Sequence, residues 1–377
     1  MLCSAQGDTR GGVRYHGFDD GSAPGGRSDP MQCLRVAQAA TPSWEVHKAP
    51  MSATTSSHSR PLLLVGIPRS GTTWTMQVLG ADPNLHPLSE PDNEGLSAPA
   101  IWGKKAAGRF PALQPGDHDQ RYHGLWSWIL VGAPQSLRLR FAAWILGHVQ
   151  GPGRTRFLQG RRVPLMTIAG AMAHHPSNGT VSELRNQRLL VKSVHAPLAL
   201  EWLAEEFEFD VLVLLRHPGN VLSSWLALNL NDQFSRLEEN PAVRTRLLNP
   251  WRVAAPGPDP LERMIFSIGV LSTALEAAAS RNPHWLVRTH EQLCSDPGSE
   301  FKKLYADLGL KWSEAVEGFL VSNNRPGEGF INQRVAAELP DNWKRRLTSH
   351  QVVVMQRVLS QFPLKTWTAE DFHAAGA

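Results

Sequence analysis

The chain has 377 residues, 38 of them lysine or arginine against 34 aspartate or glutamate, with a formal charge of +4 and an isoelectric point near 9.1. That length buries a substantial core as one large domain with insertions or as two domains, and a 42% hydrophobic content is that of a soluble globular protein. The mild basicity comes far more from arginine than from lysine and includes no Lys/Arg block, which argues against a nucleic-acid partner and for phosphate or sulfate recognition.

Residues 1 to 58 are rich in Gly, Ser, Asp and Thr with no sustained apolar period, and read as a disordered N-terminal extension. They lack the charged start and apolar run of a signal peptide. Cys3, Cys33 and Cys294 lie far apart without metal spacing, so the reading is a reduced compartment, the cytoplasm, and no disulfide framework.

The stretch P-L-L-L-V-G-I-P-R-S-G-T-T-W-T-M-Q-V-L-G, from Pro61 to Gly80, organises the rest. Leu62 to Val65 read as a buried strand of a parallel sheet, and the segment from Thr72 onward reads as a helix ending at a glycine. The turn from Pro68 to Thr73 therefore joins a strand to a helix N-terminus, where unpaired N–H groups and the helix dipole favour an oxyanion. Gly66, Gly71 and Thr73 fit the triphosphate-loop spacing, but Thr72 stands where its lysine belongs and Arg69 offers a cation from inside the loop. Such a cradle suits a nucleotide other than a triphosphate.

From Pro68 to Trp74 the chain resembles the sulfotransferases that use 3′-phosphoadenosine 5′-phosphosulfate (PAPS), whose first motif reads P-[KR]-S-G-T-T-W. The resemblance implies a P-loop-like doubly wound α/β fold with a parallel sheet, over residues 59 to 367, with 368 to 377 as a C-terminal tail. It implies PAPS binding by Arg69, Ser70, Gly71, Thr72, Thr73 and Trp74, with the tryptophan on the adenine, and it calls for no metal.

Asp82 to Glu94 is turn-rich, and residues 96 to 187 mix Trp, Arg, Gly and Pro as a helical insertion on the acceptor side. The apolar run Leu125–Val149 is interrupted by Pro134, Arg138 and Arg140 well short of the ~20 residues a span needs, which makes it an amphipathic helix pair and no transmembrane segment. Trp126, Trp128, Phe141 and Trp144 read as core before pocket lining. His174-His175 face different ways on a helix and do not make a metal site.

Leu189–Lys192 and Val211–Leu215 are further apolar strands, each followed by a helix, which gives the alternation of a doubly wound sheet with ligands above the strand ends. Arg216 then lands on the cradle's rim. The family's second motif pairs a strand-end arginine with a serine eight positions later, matched by Arg216 and Ser224, which by resemblance hold the 3′-phosphate. Asn231 to Pro260 reads as a loop or lid, Leu261–Ser280 as a packed helix and Trp285–Thr289 as a strand followed by an architectural E-Q-L-C-S-D-P stretch. The late R-K-G clamp of many cytosolic members is absent, and Arg325, Arg334 and Lys344 are the candidates for its duty, Arg334 foremost.

Two residues compete as general base for an acceptor hydroxyl or amine. Glu90 resembles the glutamate base of the tyrosylprotein and some bacterial sulfotransferases. His195, in K-S-V-H-A-P, is similar to the K-T-H-L-P of cytosolic members but one residue out of register. The expectation is Glu90 as base and His195 as orienter, with Arg69 on the leaving phosphate. The acceptor is a small-molecule, glycan or lipid group, and a homodimer is left open. The rivals are a P-loop nucleotide kinase and an inactive nucleotide-binding scaffold.

Overall fold

The computed structural model describes residues 60–131, 187–230, 236–323 and 339–372. The extension of residues 1–58, most of the 96–187 insertion with Phe141, Trp144 and His174-His175, and Arg325 and Arg334 lie outside the described residues.

Five strands form one parallel sheet: β1 Leu62–Gly66, β2 Leu85–Ser89, β3 Arg188–Ser193, β4 Asp210–Leu215 and β5 Leu286–Thr289, in the order β2-β3-β1-β4-β5. Strand β1 is central, with Leu62 opposite Leu190 on one side and Asp210 on the other. After β1 the chain winds toward β3 and β2, then returns past β1 to β4 and β5. The carboxyl end of β1 is therefore the point where the winding reverses and a ligand crevice opens.

The two faces of the sheet bury different side chains, as the period of two requires. Leu63, Val65, Val211 and Val213 join one cluster, whereas Leu62, Leu64, Leu212 and Leu214 join the other. Helices α1 (Thr72–Leu79), α8 (Pro297–Asp307) and α9 (Glu314–Asn323) cover the second face through Met76, Leu79, Phe301, Leu304 and Val316. On the first face lie α3 (Gln120–Val131), α4 (Leu200–Phe207), α5 (Pro218–Ala227), α6 (Pro260–Arg281) and α11 (Ser349–Leu359). Three shorter helices also lie among the described residues: α2 (Ala98–Gly103), α7 (His290–Ser295) and α10 (Asn342–Arg346). This is the three-layer α/β architecture that the strand–helix alternation predicts.

Two local expectations change. The Asp82–Glu94 stretch, expected as turns, contains edge strand β2, whose Pro87 is tolerated because only one side of the strand pairs. The stretch expected as a loop between Asn231 and Pro260 carries helical turns from Pro241 to Trp251, including a π-turn at Arg244–Leu248. Asn240 caps them by accepting from Ala242 N–H at 2.9 Å, and Val243 and Leu248 bury against the core, which outweighs the proline content. Of the Leu125–Val149 run, the described part lies in α3, where Trp126 is fully buried in the core. No helix among the described residues is long and apolar enough to cross a membrane.

Candidate active site

The cradle is built by two left-handed residues in the β1–α1 turn. Arg69 has φ 72° and Gly71 φ 93°, and the turn closes with Ser70 N–H donating to Ile67 C=O at 3.0 Å. At Gly71 a Cβ would stand 2.1 Å from Cδ2 of His290, so this position requires glycine for space as well as for φ. No side chain among the described residues caps α1, which leaves its first N–H groups facing the crevice. Ser70 Oγ is buried with no partner among the described residues. An anion-binding concavity needs these donors.

Arg69, Arg216 and Ser224 converge around the turn. Arg69 Nε donates to Ser224 Oγ at 3.0 Å, and Arg216 donates to the Arg69 carbonyl oxygen at 2.6 Å. Trp225 fastens α5 to the same turn by donating to Pro68 C=O at 2.9 Å. Burial lowers the pKa of Arg216 while the nearby Glu291 carboxylate opposes that, and Arg69 and Arg346 add like charge. Arg216 Nε is buried without a partner among the described residues.

Glu291 anchors the support beneath. Its Oε1 accepts from His217 N–H at 3.1 Å and Asn220 Nδ2 at 3.0 Å, and burial raises its pKa. Asn220 also donates to Pro340 C=O at 2.8 Å and accepts from Trp343 N–H at 3.2 Å. His217 stacks on Trp343 with centroids 4.8 Å apart, and burial pushes its pKa down to about 4. These contacts dock α10, and with it Lys344 and Arg346, beside the cradle. Lys344 pairs with Asp341 at 2.8 Å.

On the other side of β1, Lys192 reaches up from β3. Its Nζ donates to Thr73 Oγ1 at 3.0 Å and Glu90 Oε1 at 2.5 Å, and the residue is 1% exposed. Glu90 follows β2 with φ 49°, and its Oε2 accepts from Asn93 Nδ2 at 2.6 Å. Burial would raise the Glu90 pKa, but the Lys192 charge and the hydrogen bonds from Lys192 and Asn93 outweigh it and hold the carboxyl below its ordinary value. His195 lies two residues beyond β3 and is buried.

The sequence model of the sulfotransferase family matches residues 61–314, which spans both the cradle and the Arg216–Ser224 pair. The chain belongs to the sulfotransferase family. Among solved structures, it is similar to the sulfotransferase domain from the curacin biosynthetic pathway, at 15% identity over 81% of this chain and 100% of that one, with a TM-score of 0.41. The sulfotransferase domain of the Synechococcus olefin synthase is 15% identical over 82% and 98%, with a TM-score of 0.39. Sulfotransferase STF9 from Mycobacterium avium is 15% identical over 82% and 78%, with a TM-score of 0.35. No curated protein matches the sequence.

In this sulfotransferase the turn residues Arg69 to Thr73, and Arg216, Ser224, Glu90 and His195, all stand on the carboxyl-end rim of the sheet. Trp74 is partly buried, edge-on to Phe301 at 5.0 Å and His290 at 5.8 Å, and packs against the second core cluster. Lys192 is the residue that sequence reasoning left as an ordinary strand end. Its signal was a lysine closing an apolar strand, where burial demands a charged partner. Glu291 behind Arg216 opens the stretch expected to be architectural, and His290 under Gly71 immediately precedes it.

Proposed function

We propose that the protein transfers a sulfuryl group from PAPS to a hydroxyl or amine acceptor, leaving adenosine 3′,5′-bisphosphate. The observation that carries this reading is the convergence of Arg69, Arg216 and Ser224 on an uncapped helix N-terminus whose loop has no lysine. Two separate anionic groups suit that pattern better than one triphosphate chain: the cradle N–H groups take one, and Arg216 with Ser224 takes the other. The unpartnered Ser70 Oγ and Arg216 Nε supply further donors of the right chemistry. Arg346, whose charge reaches Arg216, is the described late arginine best placed to complete the 3′-phosphate site.

The chain's own residues then divide the work. Arg69 and the cradle N–H groups neutralise charge that builds on the leaving 5′-phosphate as its bond to sulfur breaks. Lys192, fixed between Thr73 and Glu90, sets a cation beside the transferring group. Glu90 takes the acceptor's proton as the new bond to sulfur forms, and His195 orients the acceptor. Three cysteines scattered along the sequence, of which Cys294 is free and buried, fit a cytoplasmic setting.

Calorimetry tests the donor reading: adenosine 3′,5′-bisphosphate should bind at least tenfold more tightly than ATP with magnesium. The reverse order would return the kinase reading. Labelled PAPS with a panel of alcohols, phenols, glycans and amines then identifies the acceptor, and no transfer to any member of that panel would favour an inactive scaffold.

A further inference from the structure

A second set of charged side chains gathers around His195, and the division of work above gives it no step. Lys104 caps the C-terminus of α2 and is 4% exposed. Its Nζ lies 2.7 Å from Glu94 Oε2, 3.1 Å from the Asp92 carbonyl oxygen and 3.1 Å from His195 Nδ1. Glu94 Oε2 is 3.3 Å from that same Nδ1. Arg109 Nε lies 3.3 Å from His195 Nε2 and 3.6 Å from Glu94 Oε1. The His195 backbone is pinned as well, because its N–H donates to Ser193 Oγ at 3.1 Å and that hydroxyl donates to Asp92 at 2.6 Å.

Hydrogen-bond accounting distinguishes the two imidazole tautomers. Lys104 at Nδ1 and Arg109 at Nε2 both only donate, so these two contacts do not choose between the tautomers; the acceptor within reach of the ring among the described residues is Glu94 Oε2, on the Nδ1 side. Nδ1 then carries the proton and donates to Glu94, while Lys104 directs its own protons at Glu94 and the Asp92 carbonyl. The opposite tautomer would turn its proton toward Arg109 and away from the Glu94 carboxylate. Glu94 can serve as the fixed acceptor because the His195 hydrogen bond and the Lys104 charge outweigh its burial and hold its carboxyl well below the ordinary range. A cluster that only balanced charge would be indifferent to which nitrogen carries the proton.

We propose that Glu94, clamped between Lys104 and Arg109, is a positioning residue that fixes His195 as the Nδ1–H tautomer and so presents Nε2 as a hydrogen-bond acceptor to the O–H or N–H of the acceptor substrate. The inference rests on the reading of His195 as the residue that faces the acceptor. Arg109 is the member of the clamp that yields Nε2 to the incoming group, since its side chain is 26% exposed against 3% for Lys104. The acceptor group must therefore be a donor. A carboxylate or sulfate oxygen would find only a lone pair there.

The test is long-range proton–nitrogen NMR on the full chain labelled with ¹⁵N-histidine, with the His195 signals assigned by their loss in His195→Asn. At pH 8 without nucleotide, the wild-type protein should show a protonated Nδ1 and a bare Nε2. A protonated Nε2 overturns the proposal without need of any variant. In Glu94→Met, Lys104 is left to donate to Nδ1, and the major tautomer should switch. An unchanged tautomer in a variant that keeps its circular dichroism also overturns it. With the best alcohol or phenol from the acceptor panel, Glu94→Met should raise the acceptor KM at least tenfold and leave the PAPS KM within about twofold; an equal rise in both counts against positioning. Because the spectra are recorded without nucleotide, wild-type protein that fails to bind adenosine 3′,5′-bisphosphate defeats the donor reading alone.

Discussion

Replacing Lys192 by methionine tests the rim pair from both sides. Methionine keeps most of the apolar stem and removes the charge. Glu90 then stays 18% exposed in its side chain but loses the cation 2.5 Å away and one of its hydrogen bonds. Removing one partner of a buried pair costs about 3 to 5 kcal/mol, and the residual exposure of Glu90 places this case near ~2 to 3 kcal/mol, read as a lowered urea midpoint at pH 7.

The pH dependence carries the sharper check. In the wild-type protein the Glu90 pKa is depressed, so its contribution to stability is present above the unfolded value of about 4.5 and is lost as pH falls through the lower folded value. In Lys192→Met, burial acts on Glu90 without the lysine charge, and its folded pKa moves toward or above the unfolded value. Lowering the pH from 7 toward 4.5 then protonates Glu90 in the folded variant and relieves the unpaired charge, so the stability gap between the two proteins narrows. The double variant Lys192→Met/Glu90→Gln should recover most of the loss at pH 7. A gap that is flat from pH 7 to 4.5, together with a double variant no more stable than the single, would refute the pairing argument.

Arg216→Ala should weaken adenosine 3′,5′-bisphosphate binding by about 1.5 to 3 kcal/mol in calorimetry, whereas Arg69→Ala should depress single turnover of bound PAPS more than affinity; equal binding losses with intact turnover contradict that division. Gly71→Ala forces a Cβ into His290 at a φ of 93°, so nucleotide binding should be lost and the melting temperature should fall by several degrees; an unchanged melting curve would mean the cradle relaxes freely. Glu90→Gln should lower turnover by about 10²-fold or more with nucleotide binding retained, and His195→Ala should lower it less; the opposite ranking reverses their roles. His217 has a folded pKa of about 4 against 6.5 unfolded, so the unfolded chain binds the extra proton between those values and stability falls as pH drops from 6.5 to 4, by at most roughly 3 kcal/mol; His217→Asn should flatten that slope in urea melts.

The strands and the cradle were legible because each rests on a local signal. Leu62 to Gly66 is a continuous apolar run buried on both faces, and the turn residues after it follow from strand-to-helix geometry. The Arg216–Ser224 pair came from its resemblance to the family's second motif, and the local signal contributes the strand end before Arg216 and Pro218 at the first helical position. Strand β2 was hidden by Pro87 and its short edge position, where pairing with β3 supplies what the sequence pattern lacks. Lys192, Lys104 and Glu94 were missed because their meaning lies in partners far along the chain. Lys192 finds Glu90 at a separation of 102 residues, and Lys104 finds His195 at 91. No periodicity encodes such pairs.

The positive charge at this site is assembled by the sheet order. Arg69 follows β1 and Arg216 follows β4, which are neighbours, so both arginines must stand on one side of the cradle. Lys192 ends the apolar stretch of β3, the other neighbour, and its charge is matched by Glu90 from the end of β2 beyond it. The consequence is an asymmetric rim. On the β4 side Arg216 lies in the fields of Arg69 and Arg346, with the buried Glu291 carboxylate opposing them, so an anion set there reduces like-charge repulsion. On the β3 side the cation is already balanced by a carboxylate, which suits a neutral nucleophile awaiting deprotonation better than a second fixed phosphate. A ligand with phosphate at one end and a reactive bond near the cradle fits that polarity, and on the proposed reading sulfuryl transfer would run from the β4 side toward β3.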